Sequence, residues 1–508
     1  MWEQEIEKRI RNEALKSKVM TPEEAAMFVE KGMTVGMGGF TAVGYPKAFP
    51  LALAARGEAL AKKSEANSSN VAGDNTVTEG NLDITLITGA SVGDEMDGAL
   101  ARSGVVKRRY PYQTNKDMRN AINQGKINYV DMHLSQVPLW MRQGIFGPIH
   151  LAVVEAAAIT EEGNIIPTAS IGHADTLVAC AEKVIVEIST RIPTEIEGLH
   201  DIYTPEKVPN TQPIPLTKPG DRIGTTYIPC DPNKIAGIIF SDIIDGNGEL
   251  QPADETMSAI AEHLIDFLAE EVKAGRLTNP LPPLQSGVGG VANAVLSCLE
   301  ESDFTDLTVY TEVMQDAVLR LIEKGKVKMA SGTALTISPS GKERVWSDIN
   351  SIKDKVVIRP EEISNSPEII RRLGLIAMNT AIEVDLGGNV NSTHIGGTRL
   401  MNGIGGSGDF ARNAGLTIFT TASTAKNGEV SSIVPMVSHI DHTEHDVDVI
   451  ITEIGAADLR GLTAFERAEV LIKNCAHPKF RDELRAFVNK AEEREPKGHG
   501  LAAYGGTK

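Results

Sequence analysis

Cysteine is scarce in this chain: Cys180, Cys230, Cys298 and Cys475 are the only four in 508 residues, they lie far apart, and none forms a C-x-x-C pair. That spacing excludes a zinc ribbon and a disulfide scaffold and points to a reducing, cytoplasmic setting. Positive charge is also in deficit, with 50 basic against 68 acidic residues and a formal net charge of -18. Such a field repels nucleic-acid backbones and anionic membrane surfaces, and no local basic patch overrides it, so neither is an expected partner. Long apolar runs are missing as well. None approaches the ~20 residues that cross a bilayer, and the opening Met1-Trp2-Glu3-Gln4-Glu5 is charged where a secretion signal would be apolar. What remains is a composition 41% hydrophobic and 23% charged, enough to bury a proper core. A chain this long holds roughly two large domains or three smaller ones; two is the reading adopted.

The punctuation of the sequence is that of an α/β protein. Thr21-Pro22-Glu23-Glu24 sets a cap, a proline at the first helical position and a glutamate placed to close a capping box, which predicts a helix over 22–31. The apolar run Met33 to Met37 follows, ending in Gly38-Gly39-Phe40-Thr41. The same strand-then-small-residue pattern recurs at Ile84 to Ile87, Asn128 to Val130, Leu151 to Val154 and Val184 to Val186, as expected of buried parallel strands. Between 190 and 222 six prolines accumulate, so the domain boundary is placed there, giving an N-terminal domain over 1–222 and a C-terminal domain over 223–508. The second domain is expected to open with the strand Ile235 to Phe240 and to continue with a helix from Asp254 to Lys273. Its further strands are expected at Leu307 to Tyr310, Val356 to Arg359, Ile382 to Asp385, Leu416 to Thr420 and Val447 to Thr452. Ser64 to Thr78 is small and polar and reads as a surface insertion.

The segment with the most chemistry in it is Leu307-Thr308-Val309-Tyr310-Thr311-Glu312, a strand that ends on a carboxylate before a helix. In open α/β folds this is where ligands bind. Two glycine-rich turns accompany it, Gln285-Ser286-Gly287-Val288-Gly289-Gly290 and Asn402-Gly403-Ile404-Gly405-Gly406-Ser407-Gly408. Each opens a helix and so presents free backbone N–H groups, the donors that a developing oxyanion requires.

Together with Gly38 to Thr41, Gly44-Tyr45-Pro46-Lys47, Leu86 to Ser91, Pro111-Tyr112-Gln113-Thr114, Glu362 to Asn365 and Thr452-Glu453, these segments resemble the acetyl-CoA hydrolase/transferase family of class I CoA-transferases over almost the whole chain. The resemblance implies two open-sheet α/β domains with the active site between them. It implies Glu312 as covalent nucleophile, the backbone N–H groups of Val288 and Gly406 as oxyanion donors, and Asn365 and Glu453 as further catalytic positions. Lys426, Gly405, Gly287, Gly289 and Ser91 correspond to substrate- or CoA-binding positions, with Ser91 lining the acid pocket. Lys47 is a second candidate cation for the polyanionic CoA. The implied reaction moves coenzyme A between short carboxylic acids, with acyl-CoA and carboxylate as the partners, through an acyl-glutamyl anhydride and a glutamyl-CoA thioester. CoA is then a substrate and no cofactor is expected. A homodimer is implied too. Where relatives commonly have Asn and Ser, this chain has Gly290 and Gly39, which bears on acyl preference.

Three other readings compete. A hydrolase on the same scaffold would let water intercept the intermediate. His439, His442 and His445, interleaved with Asp441 and Glu444, have the ligand types of a zinc-dependent hydrolase, though such a polar run also suits a loop between strands; no metal is expected. A dinucleotide-binding enzyme is disfavoured because Gly36-Met37-Gly38-Gly39 lacks the third glycine of the fingerprint, position 41 being Thr.

Overall fold

A computed structural model describes residues 2–68, 81–90, 92–249 and 252–494. The chain divides into two compact units, one of Met1–Leu216, Gly220–Glu249 and Ser331–Ser366, the other of Thr217–Pro219, Leu250–Ala330 and Pro367–Lys508.

In the first unit the strands expected there form one sheet together with three others: Val106–Tyr110 and Ile165–Pro167, which the sequence reading does not include, and Ile235–Ser241. They are β1 (Thr34–Met37), β2 (Ile84–Thr88), β3 (Val106–Tyr110), β4 (Asn128–Tyr129), β5 (Ile149–Ile159), β6 (Ile165–Pro167), β7 (Ala181–Ser189) and β8 (Ile235–Ser241). The order is β4-β3-β2-β1-β5-β7-β8, with β6 beside β5. All neighbours along that path are parallel, and only β6 runs antiparallel to β5. The central strands read as unbroken apolar runs because they are covered on both faces: every residue of β1 is buried, and Val35, Met37, Leu86, Leu151 and Ile185 belong to the buried cluster on one of those faces. β8 was expected to open the second domain; instead it pairs with β7 and completes the first sheet. The segment Ser331–Ser366 also belongs to this unit. Its strand Val356–Ile358 donates from Ile358 N–H to Leu199 O at 3.1 Å, and the buried Arg359 guanidinium pairs with Asp201.

The second unit has its own sheet, in which β9 (Leu284–Ser286) lies between β10 (Leu307–Tyr310) and the strand Ile376–Thr380. Beyond it come Leu416–Thr420, Val449–Thr452 and Gly455–Asp458. The pairs are parallel up to Val449–Thr452, and the last strand turns back antiparallel. The helix Glu255–Lys273 is capped by the Asp254 carboxylate, which accepts from Met257 N–H at 2.8 Å. It buries Ile260, Leu264 and Leu268, spaced by four so that they form one apolar stripe.

Local expectations are adjusted at the edges. The capping box at Thr21 and Glu24 is formed, but the helix stops at Ala26 rather than residue 31, and Gly32, with a φ of 80°, leads the chain into β1. The helix Ala48–Ser68 runs into the expected insertion, so residues 64–68 are helical; residues 69–78 lie outside the described residues.

Candidate active site

The site in the second unit is built at the C-terminal ends of adjacent parallel strands, where chain direction changes and main-chain N–H groups are left over. β10 buries Leu307, Val309 and Tyr310, and Thr311 beyond it is also buried. Glu312 follows in a bend, half-buried, ahead of the short Val313–Met314 strand and the helix Asp316–Glu323. Val309 is in register with Leu284 of β9, which sets the end of β10 beside the Ser286-Gly287-Val288-Gly289 turn. Two side chains lock the turns together. Thr311 Oγ1 donates to Ser286 O at 3.0 Å, and Gln315 Nε2 donates to Gly287 O at 3.3 Å. Glu312 sits between those two residues in sequence, so its backbone is held at both sides against the glycine turn.

The glycine turn is fixed from the other side as well. Gly287 N–H donates to Met378 O at 3.0 Å. Beneath it Gln285 and Asn379, both buried, exchange hydrogen bonds: Gln285 Oε1 accepts from Asn379 Nδ2 at 3.1 Å and from Met378 N–H at 3.1 Å, and Gln285 Nε2 donates to Asn379 Oδ1 at 3.3 Å. A buried amide pair of this kind leaves no orphaned polar group and cross-links two strand ends. Val288 is 53% exposed, and among the described residues its N–H has no partner, so the donor is available. Gly289 has φ 114° and ψ -174°, a combination that side-chain-bearing residues avoid, and it caps the helix Gly290–Glu301. At Gly290 a Cβ would come within 2.5 Å of Met257 Sδ, so the Asn expected from the resemblance would require that methionine to move.

The second glycine turn lies further along the sheet. Gly405 has φ 60°, and Gly406 precedes the helix Ser407–Ala411, which packs on the strands Ile376–Thr380 and Leu416–Thr420. Glu453 follows the strand Val449–Thr452 and is half-buried; its carboxylate accepts from Ser423 N–H at 2.8 Å and from the Ser423 hydroxyl. Lys426 is exposed at the tip of the hairpin formed by Thr424–Ala425 and Val430–Ser431, with φ 49°.

Asn365 belongs to the first unit. It is fully buried at the end of the helix Glu361–Ser364, where its Oδ1 accepts from Ser364 Oγ at 2.8 Å. Ser91 lies outside the described residues. Lys47 is not available to an external anion: it is buried, and its ammonium lies 3.0 Å from Asp245 Oδ1 and in contact with Glu155. Burial acts to lower its pKa, but Asp245 and Glu155 outweigh that and raise it above its ordinary value. Burial in turn pushes Glu155 up to about 7 despite Lys47.

The histidines of the 439–445 run face different partners. His442 is buried with its ring 4.7 Å from that of Phe419, and its Nε2 is 3.2 Å from Ser407 Oγ. His439 Nε2 instead faces Asp441 Oδ1 at 3.3 Å. The side chains are turned to different partners, and among the described residues no group of three His, Cys, Asp or Glu side chains is arranged to hold a metal ion. No described helix is long and apolar enough to cross a membrane.

Gln315, Asn379 and Ser423 were not singled out from the sequence. Only Gln315 offered a signal: a glutamine stands at a helix N-cap, where Ser, Thr, Asp or Asn is usual.

Comparison with known proteins gives the family. Residues 3–240 match the acetyl-CoA hydrolase/transferase N-terminal domain and residues 341–488 the C-terminal domain of the same family. The chain is 50% identical over 485 residues to a succinyl-CoA:acetate CoA-transferase of Clostridium kluyveri, covering 96% of this chain and 87% of the relative. It is 42% identical over 498 residues to an acetyl-CoA hydrolase of Schizosaccharomyces pombe, covering 96% and 92%. The fold is that of the RipA crystal structure from Yersinia pestis, with a TM-score of 0.69 at 22% identity, covering 94% of this chain and 98% of that one. The chain therefore belongs to the acetyl-CoA hydrolase/transferase family.

Proposed function

We propose that the enzyme transfers coenzyme A between short-chain carboxylic acids, with Glu312 as the covalent nucleophile. The observation that supports this best is the pair of hydrogen bonds from Thr311 and Gln315, which tie the Glu312 turn to the Ser286–Gly289 turn. These bonds tie the chain on both sides of Glu312 to the turn that carries the Val288 N–H, which supports reading the two as nucleophile and donor.

The chemistry balances without a general base. An ionised glutamate, ordinarily half-protonated near pH ~4.3, attacks the thioester carbon with an oxygen lone pair while the carbonyl π electrons move to oxygen. The Val288 N–H stabilises that oxyanion, joined by the Gly406 N–H. Collapse breaks the C–S bond and releases CoA thiolate, leaving a mixed anhydride. The thiolate then attacks the glutamyl carbonyl, the anhydride C–O bond breaks, and the first acid departs as its carboxylate. A second carboxylate reverses the steps and takes the CoA away. Asn365, Glu453 and Lys426 are proposed to contribute to substrate placement.

Hydrolysis is the second reading, favoured by the name of the Schizosaccharomyces pombe relative. The two are separated by following CoA from acetyl-CoA or succinyl-CoA with and without acetate or succinate as acceptor. Transfer requires a new acyl-CoA that appears in proportion to acceptor; free CoA produced at one rate whatever the acceptor would make the enzyme a hydrolase. Borohydride reduction after incubation with acyl-CoA should modify only the peptide carrying Glu312, and Glu312→Ala should abolish the modification. A labelled peptide elsewhere would remove Glu312 from the role.

A further inference from the structure

We propose that Gln315 is a positioning residue for the oxyanion donor, acting through the peptide that joins Gly287 to Val288. This rests on the reading of Glu312 as nucleophile and the Val288 N–H as donor.

Gln315 is buried and stands at the N-cap of the helix Asp316–Glu323, with extended backbone angles of φ -109° and ψ 174°. A polar residue there normally turns its side chain back to cap its own helix. Gln315 makes no such bond. Its amide reaches across to the neighbouring turn and donates to Gly287 O at 3.3 Å. A carbonyl only accepts, so the contact requires the Nε2 side of the amide to face it.

The acceptor identifies the consequence. The carbonyl of Gly287 and the N–H of Val288 are opposite ends of one planar peptide unit. Holding the oxygen therefore aims the N–H, and drawing electron density toward the oxygen makes that N–H a stronger donor. The plane needs holding because one of its two hinges is Gly287, which has no side chain to restrict rotation. The preceding peptide is already pinned by the Gly287 N–H bond to Met378 O, and Ser286 Oγ adds a second donor to Gly287 O at 3.3 Å. Gln315 is the only one of these groups that comes from the Glu312 segment. It stands three positions after Glu312, so one short stretch of chain sets both the nucleophile and the dipole that receives the displaced charge.

The test is a single-turnover measurement on the full-length enzyme. Wild type, Gln315→Met and Gln315→Glu are mixed with excess succinyl-CoA, quenched at intervals, and the covalent CoA adduct is followed by intact mass. Methionine keeps the length and loses the donor; glutamate keeps the shape and loses it too. Removing an oxyanion donor outright costs ~10²–10³ in rate, and here the donor is only mis-aimed and weakened. The expected result for both variants is an adduct that forms about tenfold or more slowly, with full final amplitude and an unchanged KM for the CoA substrate. A rate constant within about twofold of wild type would overturn the proposal. So would a loss confined to amplitude, which is what partial unfolding produces. If wild type itself forms no adduct on the Glu312 peptide, the nucleophile assignment fails first, and that outcome is read without either variant.

Discussion

The Lys47 ammonium lies 3.0 Å from Asp245 and touches Glu155, and all three side chains are nearly solvent-free. Asp245 has a further cation in Lys342, at 3.1 Å, and Glu155 accepts from Thr168 Oγ1 at 2.6 Å. Removing the central charge leaves two buried carboxylates with less compensation than they need. Lys47→Met should cost about 3–5 kcal/mol of stability, measured by urea unfolding. Glu155→Gln in that background should return part of it, because the uncompensated charge is then gone. If Lys47→Met instead unfolded like wild type and raised the KM for CoA, the lysine would be a ligand contact after all. The contrast with Lys426 shows why residue type does not settle a role. Both are lysines in glycine- or turn-rich segments of the sequence, yet one is enclosed by carboxylates and the other is exposed at a hairpin tip. Only burial distinguishes them.

At the scale of elements, the turn between β9 and the helix Gly290–Glu301 depends on one unusual backbone conformation. Gly289 sits at φ 114° and ψ -174°, a region essentially reserved for glycine, while nothing lies within 4 Å of where a Cβ would be. Gly289→Ala therefore meets no steric obstacle, and its cost is purely conformational, about 1–3 kcal/mol in denaturant unfolding. The same change should slow turnover, because relaxing the strain rotates the peptides on either side of it. Unaltered stability with unaltered turnover would mean that the turn tolerates another conformation. Elements of this size were well marked in the sequence where a local rule applied. The capping box at Thr21 and Glu24, the helix started by Asp254 and the strand Leu307–Tyr310 all follow from short-range chemistry and are present. The strand Ile235–Ser241 is equally visible, yet it completes the first sheet rather than opening the second domain, since its apolar run says that it is buried and not which sheet it joins. Spacing along the chain likewise says nothing of where the histidine side chains turn: the folded loop sets His442 toward Ser407 and His439 toward Asp441.

For the molecule as a whole, folding stability is coupled to pH through buried histidines. His200 is fully buried, its Nε2 is 2.8 Å from Thr168 O, and burial pushes its pKa down from 6.5 to about 4. The unfolded chain thus takes up a proton as pH falls through 6.5, whereas the folded chain resists until about 4. The contribution of neutral His200 is present above pH ~6.5 and is lost on acidification between those values. Asp97 and Asp175 act in the opposite sense, because burial pushes each up to about 6 and they gain protons more readily when folded. The clean observable is consequently a difference. Whatever gap separates wild type from His200→Gln at pH 7, it should shift against wild type by about 2 kcal/mol on going to pH 4.5. A gap independent of pH would show that His200 titrates normally in the folded protein.

By itself the sequence determined the α/β class, the carboxylate at the end of a strand and the two glycine turns that accompany it, because periodicity, capping and turn chemistry act over a few residues. The family followed from the same short segments taken together. Tertiary structure decided the rest: that β8 completes the first sheet, that Ser331–Ser366 belongs with the first unit, that Lys47 is buried and that Gln315 reaches across to Gly287. Each of these joins residues brought together by strand order or side-chain direction. A chain carries no local mark of either, since the energy that selects them comes from surfaces that meet only after folding.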